Sequence, residues 1–306
     1  MARLEDRTIL LTGASGGIGY WCAKSLLRLG AHHLVIAGRN AEQLADVAGR
    51  LGTVTTLDLD LGSIESIRAA CGRIQESIAC GDLPPLFALV CNAGMQVASG
   101  PVQKTRDGFE ITFGTNHLGH FLLVNLLLKT VAPPGRIVFT SSGTHDPETI
   151  EGRYNKPIFT NAHDLAFPDR SNSPRMSQLQ RYSTSKLCNL YCAYELARRL
   201  KKAGVAITVN AYDPGAVPTT GLLRGHGGFT RAIAASPLLR WLGVRIETPE
   251  SAGDALASLI ADPNLENISG AYFAGHTQRR SSKASYDQTA AEQLWRDSAE
   301  LVGLKT

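Results

Sequence analysis

Thr8-Ile9-Leu10-Leu11-Thr12-Gly13-Ala14-Ser15-Gly16-Gly17-Ile18-Gly19 is the stretch on which the reading of this chain turns. Thr8 to Leu11 is short and apolar, as a buried strand is, and the turn after it opens a helical pattern that runs to about Leu29. Glycines at such a junction let the backbone bend tightly and approach a pyrophosphate, whose charge is met by the free N–H groups of the helix start. A Gly-rich turn alone is a weak signal. Here the strand before it and the helix after it supply the confirming context, and together they predict a dinucleotide site. The glycines are spaced Gly-x-x-x-Gly-x-Gly, at 13, 17 and 19.

Strand and helix alternate outward from this turn. A second strand, His33 to Ala37, ends at Gly38-Arg39-Asn40. About 20 residues beyond the glycines a carboxylate would hold a ribose 2′-hydroxyl, whereas an arginine accommodates a 2′-phosphate. Arg39 stands there with no adjoining carboxylate, which predicts NADP(H) in preference to NAD(H); the alternative is a surface arginine opening the next helix. A third strand, Val54 to Leu57, leads to Asp58-Leu59-Asp60-Leu61 and a helix from Ser63 to about Ile78. A fourth, Leu86 to Cys91, ends in Asn92-Ala93-Gly94. Residues 107–131 read as a long helical stretch. Strands at Arg136–Thr140 and Val205–Ala211 end at Ser141-Ser142 and Asp213-Pro214-Gly215, and a helix at Pro249–Ala261, a strand near Ala271–Ala274 and a helix from about Ala290 to Val302 complete the chain. The pattern predicts an α/β fold: a Rossmann-type, doubly wound parallel sheet of about seven strands with helices on both faces. Ligand sites in such sheets lie beyond the carboxyl ends of the strands, where the glycines, Arg39, Asn92, Ser142 and Pro214 all fall.

Two segments break the alternation. Residues 143–180, rich in Pro, Asn, Asp and Ser, are too long for an ordinary connection and predict an insertion on the substrate side. Residues 216–248 carry Pro, Gly and apolar pieces (Leu222-Leu223, Phe229, Leu238 to Leu242), and predict a flexible lid with greasy walls. With no internal repeat and no composition shift, 1–306 reads as one domain.

Composition narrows the function. The net charge of +4 comes from interspersed acids and bases, with no basic block or aromatic-basic stripe, so nucleic acid is not the expected partner. Six cysteines, at 22, 71, 80, 91, 188 and 192, form no Cys-x-x-Cys and sit in apolar contexts, as in a reducing compartment. No signal-peptide core follows Met1 and no eighteen apolar residues run together, so the expectation is a cytoplasmic protein without a membrane span.

Tyr182-Ser-Thr-Ser-Lys186 heads an apolar segment reaching Leu200. On a helix Tyr182 and Lys186 share one face, four residues apart. A phenol ionises near pH ~10, and a nearby ammonium favours the phenolate, so the pair suits acid/base chemistry at neutral pH. Lowering the phenol by about three units would need roughly 4 kcal/mol, more than one exposed lysine supplies. A bound nicotinamide could add the second positive charge.

With the glycine turn, Asn92-Ala93-Gly94, Asn116, Ser142, Tyr182-x-x-x-Lys186 and Pro214-Gly215 in this order, the chain resembles the classical short-chain dehydrogenase/reductase family over nearly its full length. Asn116-His-Leu-Gly-His-Phe, Thr184-Ser-Lys-Leu, Leu294-Trp295 and Glu300-Leu-Val-Gly303 look most like retinol dehydrogenases. Ser142-Gly-Thr-His-Asp-Pro147 and Thr219-Thr-Gly-Leu222 are also similar to protochlorophyllide reductases. The resemblance implies that Tyr182 is the general acid/base, that Lys186 tunes it and binds the nicotinamide ribose, that Ser142 holds the carbonyl oxygen, and that Asn116 holds a water linking Lys186 to solvent. It implies a cofactor site of Gly13, Ser15, Gly17, Ile18, Gly19, Arg39, Asp60, Leu61, Asn92, Ala93, Gly94, Tyr182, Lys186, Pro214, Gly215, Val217 and Thr219. Asp60 would contact adenine, or else serve only as a helix N-terminal carboxylate. Ser142 and Tyr182 lie 40 residues apart, well beyond the family's usual dozen or so, and Ser141 is a rival for the catalytic serine.

The expected activity is NADPH-dependent carbonyl reduction or alcohol oxidation on a bulky apolar substrate. The alternatives are carbon–carbon double-bond reduction with the same proton donor, or a cofactor-binding regulator without turnover. His117 and His120 are read as packing and hydrogen-bonding residues, with no metal expected, and Cys188 and Cys192 as core thiols. The helix after Lys186 is apolar round most of its circumference, more than one sheet face covers, which predicts a homodimer or homotetramer.

Overall fold

Alternate residues along the central strands face two separate cores. Leu10, Val35 and Ala37 belong to one, and Ile9, Leu11, Leu34 and Ile36 to the other, so these strands are apolar on both faces and must be covered on both. The computed structural model describes residues 4–170, 173–218 and 245–305.

The sheet has eight strands: β1 (Thr8–Thr12), β2 (His33–Gly38), β3 (Thr55–Asp58), β4 (Leu86–Cys91), β5 (Val131–Thr140), β6 (Ile207–Asp213), β7 (Tyr272–Ala274) and β8 (Thr277–Arg279). Their order is β3-β2-β1-β4-β5-β6-β7-β8, and among the described residues only the β7–β8 pair is antiparallel. The chain switches direction between β1 and β4, which opens a crevice above their carboxyl ends. One face is covered by α1 (Gly17–Arg28), α2 (Ala41–Leu51) and α9 (Pro249–Ala261). The other is covered by α3 (Ile64–Ala79), α5 (Gly119–Leu127), α8 (Gln178–Ala203) and α10 (Gln288–Leu301).

Several boundaries depart from the sequence reading. β8 was not expected: Thr277, Gln278 and Arg279 are polar and exposed, and hydrogen bonds from β7 alone hold them as an edge strand. The expected long helix over 107–131 is instead α4 (Ile111–Phe113), a π-helical turn at Gly114–Leu118, and α5. Its last residue already begins β5, which runs through Pro133 and Pro134 with an irregular register against β4. Residues 143–180 hold a 3-10 turn at Gly143–His145 and short helices α6 (Ile150–Arg153) and α7 (Ala162–Ala166). Only 216–218 and 245–248 of the expected lid are described, and Thr219 lies outside the described residues.

α8 starts at a complete capping box. The Ser177 side chain accepts from Gln180 N–H while the Gln180 side chain accepts from Ser177 N–H, and the helix ends on Gly204 at φ 67°. Leu187 through Ala193 are buried without a gap, so this stretch is covered all round. β5, β6, the π turn, α10 and the 283–286 turn supply the cover within the chain. Trp295 of α10 meets Phe121 edge-on at 4.9 Å and lies under Arg199. The apolar excess that suggested a subunit interface is thus met by the chain's own C-terminal helix, an arrangement of distant segments that local sequence does not disclose.

Cys22, Cys71, Cys91, Cys188 and Cys192 are buried and free, and burial pushes their thiols up, as for core residues. Cys80 is exposed. Among the described residues no helix is long and apolar enough to cross a membrane.

Candidate active site

The Thr12–Gly13 turn is held from behind. The Thr12 hydroxyl oxygen accepts from Asn92 and Ala93 N–H, both at 3.0 Å, and the Asn92 amide donates to Thr12 O at 3.0 Å. A Cβ on Gly13 would lie 2.7 Å from Ala93 Cα, and one on Gly19 would lie 2.2 Å from Gly13 O. Both glycines are therefore required by close backbone approach, and Gly13 also by its φ of +75°. Thr12 was not singled out in the sequence, because a threonine ending a strand carries no signal of its own.

α1 begins at this turn with Gly16 as N-cap, no side-chain cap and no acidic residue in its first turn. Its first N–H groups face a cleft of about 650 Å³. By contrast Asn40, Ser63, Ser177, Thr248 and Asp287 cap α2, α3, α8, α9 and α10. An uncapped helix start on a cleft fits the pyrophosphate of a dinucleotide.

Of the expected cofactor residues, Gly13, Ser15, Gly17, Ile18, Gly19, Arg39, Asp60, Leu61, Asn92, Ala93, Gly94, Tyr182, Lys186 and Pro214 line this one cleft. Gly215 and Val217 do not line it: Gly215 N–H bonds the Asp213 carboxylate and Val217 is buried. Asn40, Met95, Gln96, Thr115 and Thr140 line it without having been foreseen. Arg39 is exposed at the end of β2, and among the described residues no carboxylate pairs with it. Asp60 Oδ1 accepts Gly62 N–H, and Oδ2 is 4.0 Å from Arg106, so its carboxylate both orders its own turn and borders the cleft.

At the cleft floor Tyr182 is buried, with Lys186 Nζ 5.5 Å from its ring centre. Burial pushes the phenol above its ordinary range; a Ser142 hydrogen bond pulls down and the Asp213 charge adds to the rise. This reverses the expectation that the ammonium lowers it, because desolvation is the larger effect at a fully enclosed phenol. Burial in turn brings Lys186 down to about 8. Nζ donates to Thr140 O at 3.1 Å, and a Cβ on Gly94 would come within 3.3 Å of it, so Gly94 makes room for the ammonium. With one carbonyl and no carboxylate bonded to it, the ammonium retains donors for ribose hydroxyls.

Forty residues apart in the chain, Ser142 still acts on the Tyr182 phenol, pulling it down against the larger effect of burial. Ser141 Oγ donates to Lys186 O at 2.9 Å and so braces α8. Asn116 sits in the π turn. Its amide oxygen accepts Met95 N–H, its amide nitrogen donates to Met95 O and Ser185 Oγ, and its backbone carbonyl accepts from His120 Nδ1 at 3.1 Å. His120 Nε2 meets the Thr12 hydroxyl at 3.0 Å, and His117 Nε2 meets Ser298 Oγ at 3.0 Å. The two imidazoles thus bond in different directions.

The family profile described as short chain dehydrogenase matches residues 7–152. Human polyprenol dehydrogenase is 34% identical, with 98% of this chain and 86% of that protein covered. Mouse retinol dehydrogenase 14 is 33% identical, with 98% and 87% covered. The chloroplastic protochlorophyllide reductase of Chlamydomonas reinhardtii is 35% identical, with 99% and 79% covered. Among solved structures, a putative uncharacterized protein from Mycobacterium paratuberculosis superimposes with TM-score 0.68 at 28% identity, over 99% of this chain and 95% of that one. A Burkholderia cenocepacia short chain dehydrogenase in complex with NADP gives TM-score 0.65 at 22% identity, over 89% and 97%, a likeness of fold.

Proposed function

Because the chain belongs to the short-chain dehydrogenase/reductase family, an oxidoreductase family that uses a nicotinamide cofactor, we propose that it is an NADPH-dependent carbonyl reductase or alcohol dehydrogenase. Its substrate would be a bulky apolar ketone, aldehyde or secondary alcohol. The observation that carries this reading is the convergence of Tyr182 and Lys186 on one dinucleotide-sized cleft that Ser141 also lines, with Ser142 next to it in the chain.

Bound NADPH supplies the hydride, and the chain's own residues do the rest. Gly13, Gly17 and the start of α1 take the pyrophosphate, Arg39 the 2′-phosphate, and Lys186 the nicotinamide ribose. Ser142 Oγ and the Tyr182 hydroxyl hold the substrate oxygen. Tyr182 keeps its proton at neutral pH because burial disfavours the phenolate, which makes it a competent acid for reduction. Proton donation leaves a phenolate, and the Lys186 ammonium stabilises that charge as it forms. Asn116 keeps the β4 loop and α8 in register.

Two checks follow. Arg39→Ala raises the KM for NADPH by about 10- to 100-fold, as expected for one lost charge-assisted phosphate contact, and leaves NADH kinetics nearly unchanged. Equal effects on both cofactors would remove Arg39 from 2′-phosphate recognition. The charged Lys186 is the working form, so kcat/KM for reduction holds level at neutral pH and falls as pH rises through about 8, toward tenfold per unit. A profile flat to pH 10 would contradict the role of Lys186.

Polyprenol and retinol in the names of relatives support an apolar substrate, as do the apolar pieces of the segment from 219 to 244. The 143–180 insertion would then form the substrate side and 216–248 the lid. Protochlorophyllide reductase among the relatives favours a second reading, reduction of a carbon–carbon double bond with Tyr182 as donor. Five buried free thiols support a reducing compartment such as the cytoplasm. A homodimer or homotetramer would need a face other than the covered stretch of α8. A homodimer or homotetramer is the expected result of sedimentation at micromolar concentration, and monomer alone would end that expectation.

A further inference from the structure

Immediately beyond the proposed catalytic serine the chain makes a 3-10 turn, Gly143–His145, and His145 folds back over it. The Ser142 carbonyl accepts twice from this one residue, from its backbone N–H at 3.1 Å and from its ring Nδ1 at 2.6 Å. At the other end of the ring, Nε2 faces Ser282 N–H at 3.1 Å. These partners decide the tautomer. A backbone N–H only donates, so Nε2 carries the lone pair; a carbonyl only accepts, so Nδ1 carries the hydrogen. Both bonds hold together only in the neutral ring. The ring is 2% exposed and packs edge-on against Tyr272 at 5.3 Å, and its burial pushes the imidazole below its ordinary range.

Each end of this bridge is itself fixed. On the serine side, Thr149 Oγ1 donates to Gly143 O and Asp146 O, and a Cβ on Gly152 would overlap Asp146 O, so α6 lies directly on the turn. On the far side, Ser285 Oγ donates to Ser282 O, Ser281 and Ser285 hydroxyls meet at 2.6 Å, and Ser281 Oγ meets Tyr194 OH at 2.7 Å. Tyr194 lies on α8, the helix that carries Tyr182 and Lys186, and its ring stacks on Tyr286. Ser142 follows the end of β5, and Tyr182 lies on α8. His145 joins the β5 side to α8 through the C-terminal turn. The Ser142 Oγ needs such help, since its own backbone contact, from Thr144 N–H, is long at 3.4 Å.

We propose that His145 is a positioning residue for the reaction: it clamps the Ser142 backbone so that Oγ is aimed at the substrate oxygen, and it ties that aim to α8 through Ser282. This deepens the catalytic reading of Ser142 and rests on it. A buried histidine that only filled the core would affect stability and cofactor binding alike. A clamp acts on kcat, through Ser142.

The test is a double-mutant cycle on the full-length enzyme in single-turnover reduction. His145→Phe fills the space but makes neither bond. It lowers kcat by about 10- to 100-fold, the scale of a small misplacement, and leaves KM and NADPH affinity within about threefold. In a Ser142→Ala background the same change costs less than about twofold, because the group it aims is gone. His145→Asn keeps a donor at the Nδ1 position and recovers most of the loss. Additive losses in both backgrounds, or equal losses in the Phe and Asn variants, overturn the clamp. If Ser142→Ala alone turns over like wild type, the catalytic reading of Ser142 fails first and takes the clamp with it. Should His145→Phe not fold, imidazole nitrogen NMR of the wild-type protein decides at pH 7: a neutral Nδ1–H ring supports the clamp, and an Nε2–H or doubly protonated ring overturns it.

Discussion

Tyr182→Phe will lower turnover by about 10³-fold or more while NADPH affinity stays within about threefold of wild type. The two parts follow from different features. Phenylalanine keeps the ring in its buried socket beside Lys186, so the packing and the ribose site persist. What disappears is one hydroxyl, and with it the proton donor proposed for the reduction. A positioned acid contributes about 10²- to 10⁴-fold. Fluorescence titration with NADPH checks the binding arm and steady-state assays the other. Near-wild-type turnover would remove Tyr182 from the chemistry, and lost NADPH binding would make its role structural.

The second large effect lies at the other end of the cleft. Gly19→Val will weaken NADPH binding by about 100-fold or more, with turnover falling in step. A Cβ here would sit 2.2 Å from Gly13 O and 2.8 Å from Asn92 Nδ2. The first obstacle is backbone and cannot swing aside, so the turn itself must move, at a cost of roughly 1–3 kcal/mol for forced overpacking. The first N–H groups of α1 then no longer converge on one pyrophosphate. Gly72→Ala is the control: nothing lies within 4 Å of its Cβ, and alanine in a helix is favoured by up to ~1 kcal/mol. That variant binds NADPH normally. Unimpaired binding by Gly19→Val would mean that the turn does not cradle the cofactor.

What the sequence made legible was whatever is local. Period and turn chemistry exposed β1, the glycine turn and α1, because Thr8 to Gly19 states strand, bend and helix within twelve residues. The Tyr182 and Lys186 pairing was legible for the same reason, four residues on one helix. Contacts between distant segments were not. No pattern within 107–131 announces a π turn, since Gly114 and Gly119 there serve close packing against Thr105 and Leu61. The covering of α8 by α10 depends on Trp295 reaching Phe121, 174 positions earlier in the chain. The phenol shift went the other way because its sign follows from enclosure, and enclosure is a property of the whole fold. Ser142 and Tyr182 were foreseen as partners through resemblance alone, since one follows β5 and the other lies on α8, 40 residues further along the chain.

The most direct test of the central claim follows the hydride itself. An apolar α,β-unsaturated ketone is incubated with the wild-type enzyme and NADPH carrying deuterium at nicotinamide C4, in both stereochemical forms, and the product is read by NMR. Deuterium on the carbinol carbon, delivered from one of the two forms, is the result expected of a carbonyl reductase with Tyr182 as proton donor. Deuterium on the β-carbon would transfer the site to double-bond reduction, and tight NADPH binding with no transfer to this or any other ketone or aldehyde would contradict the account.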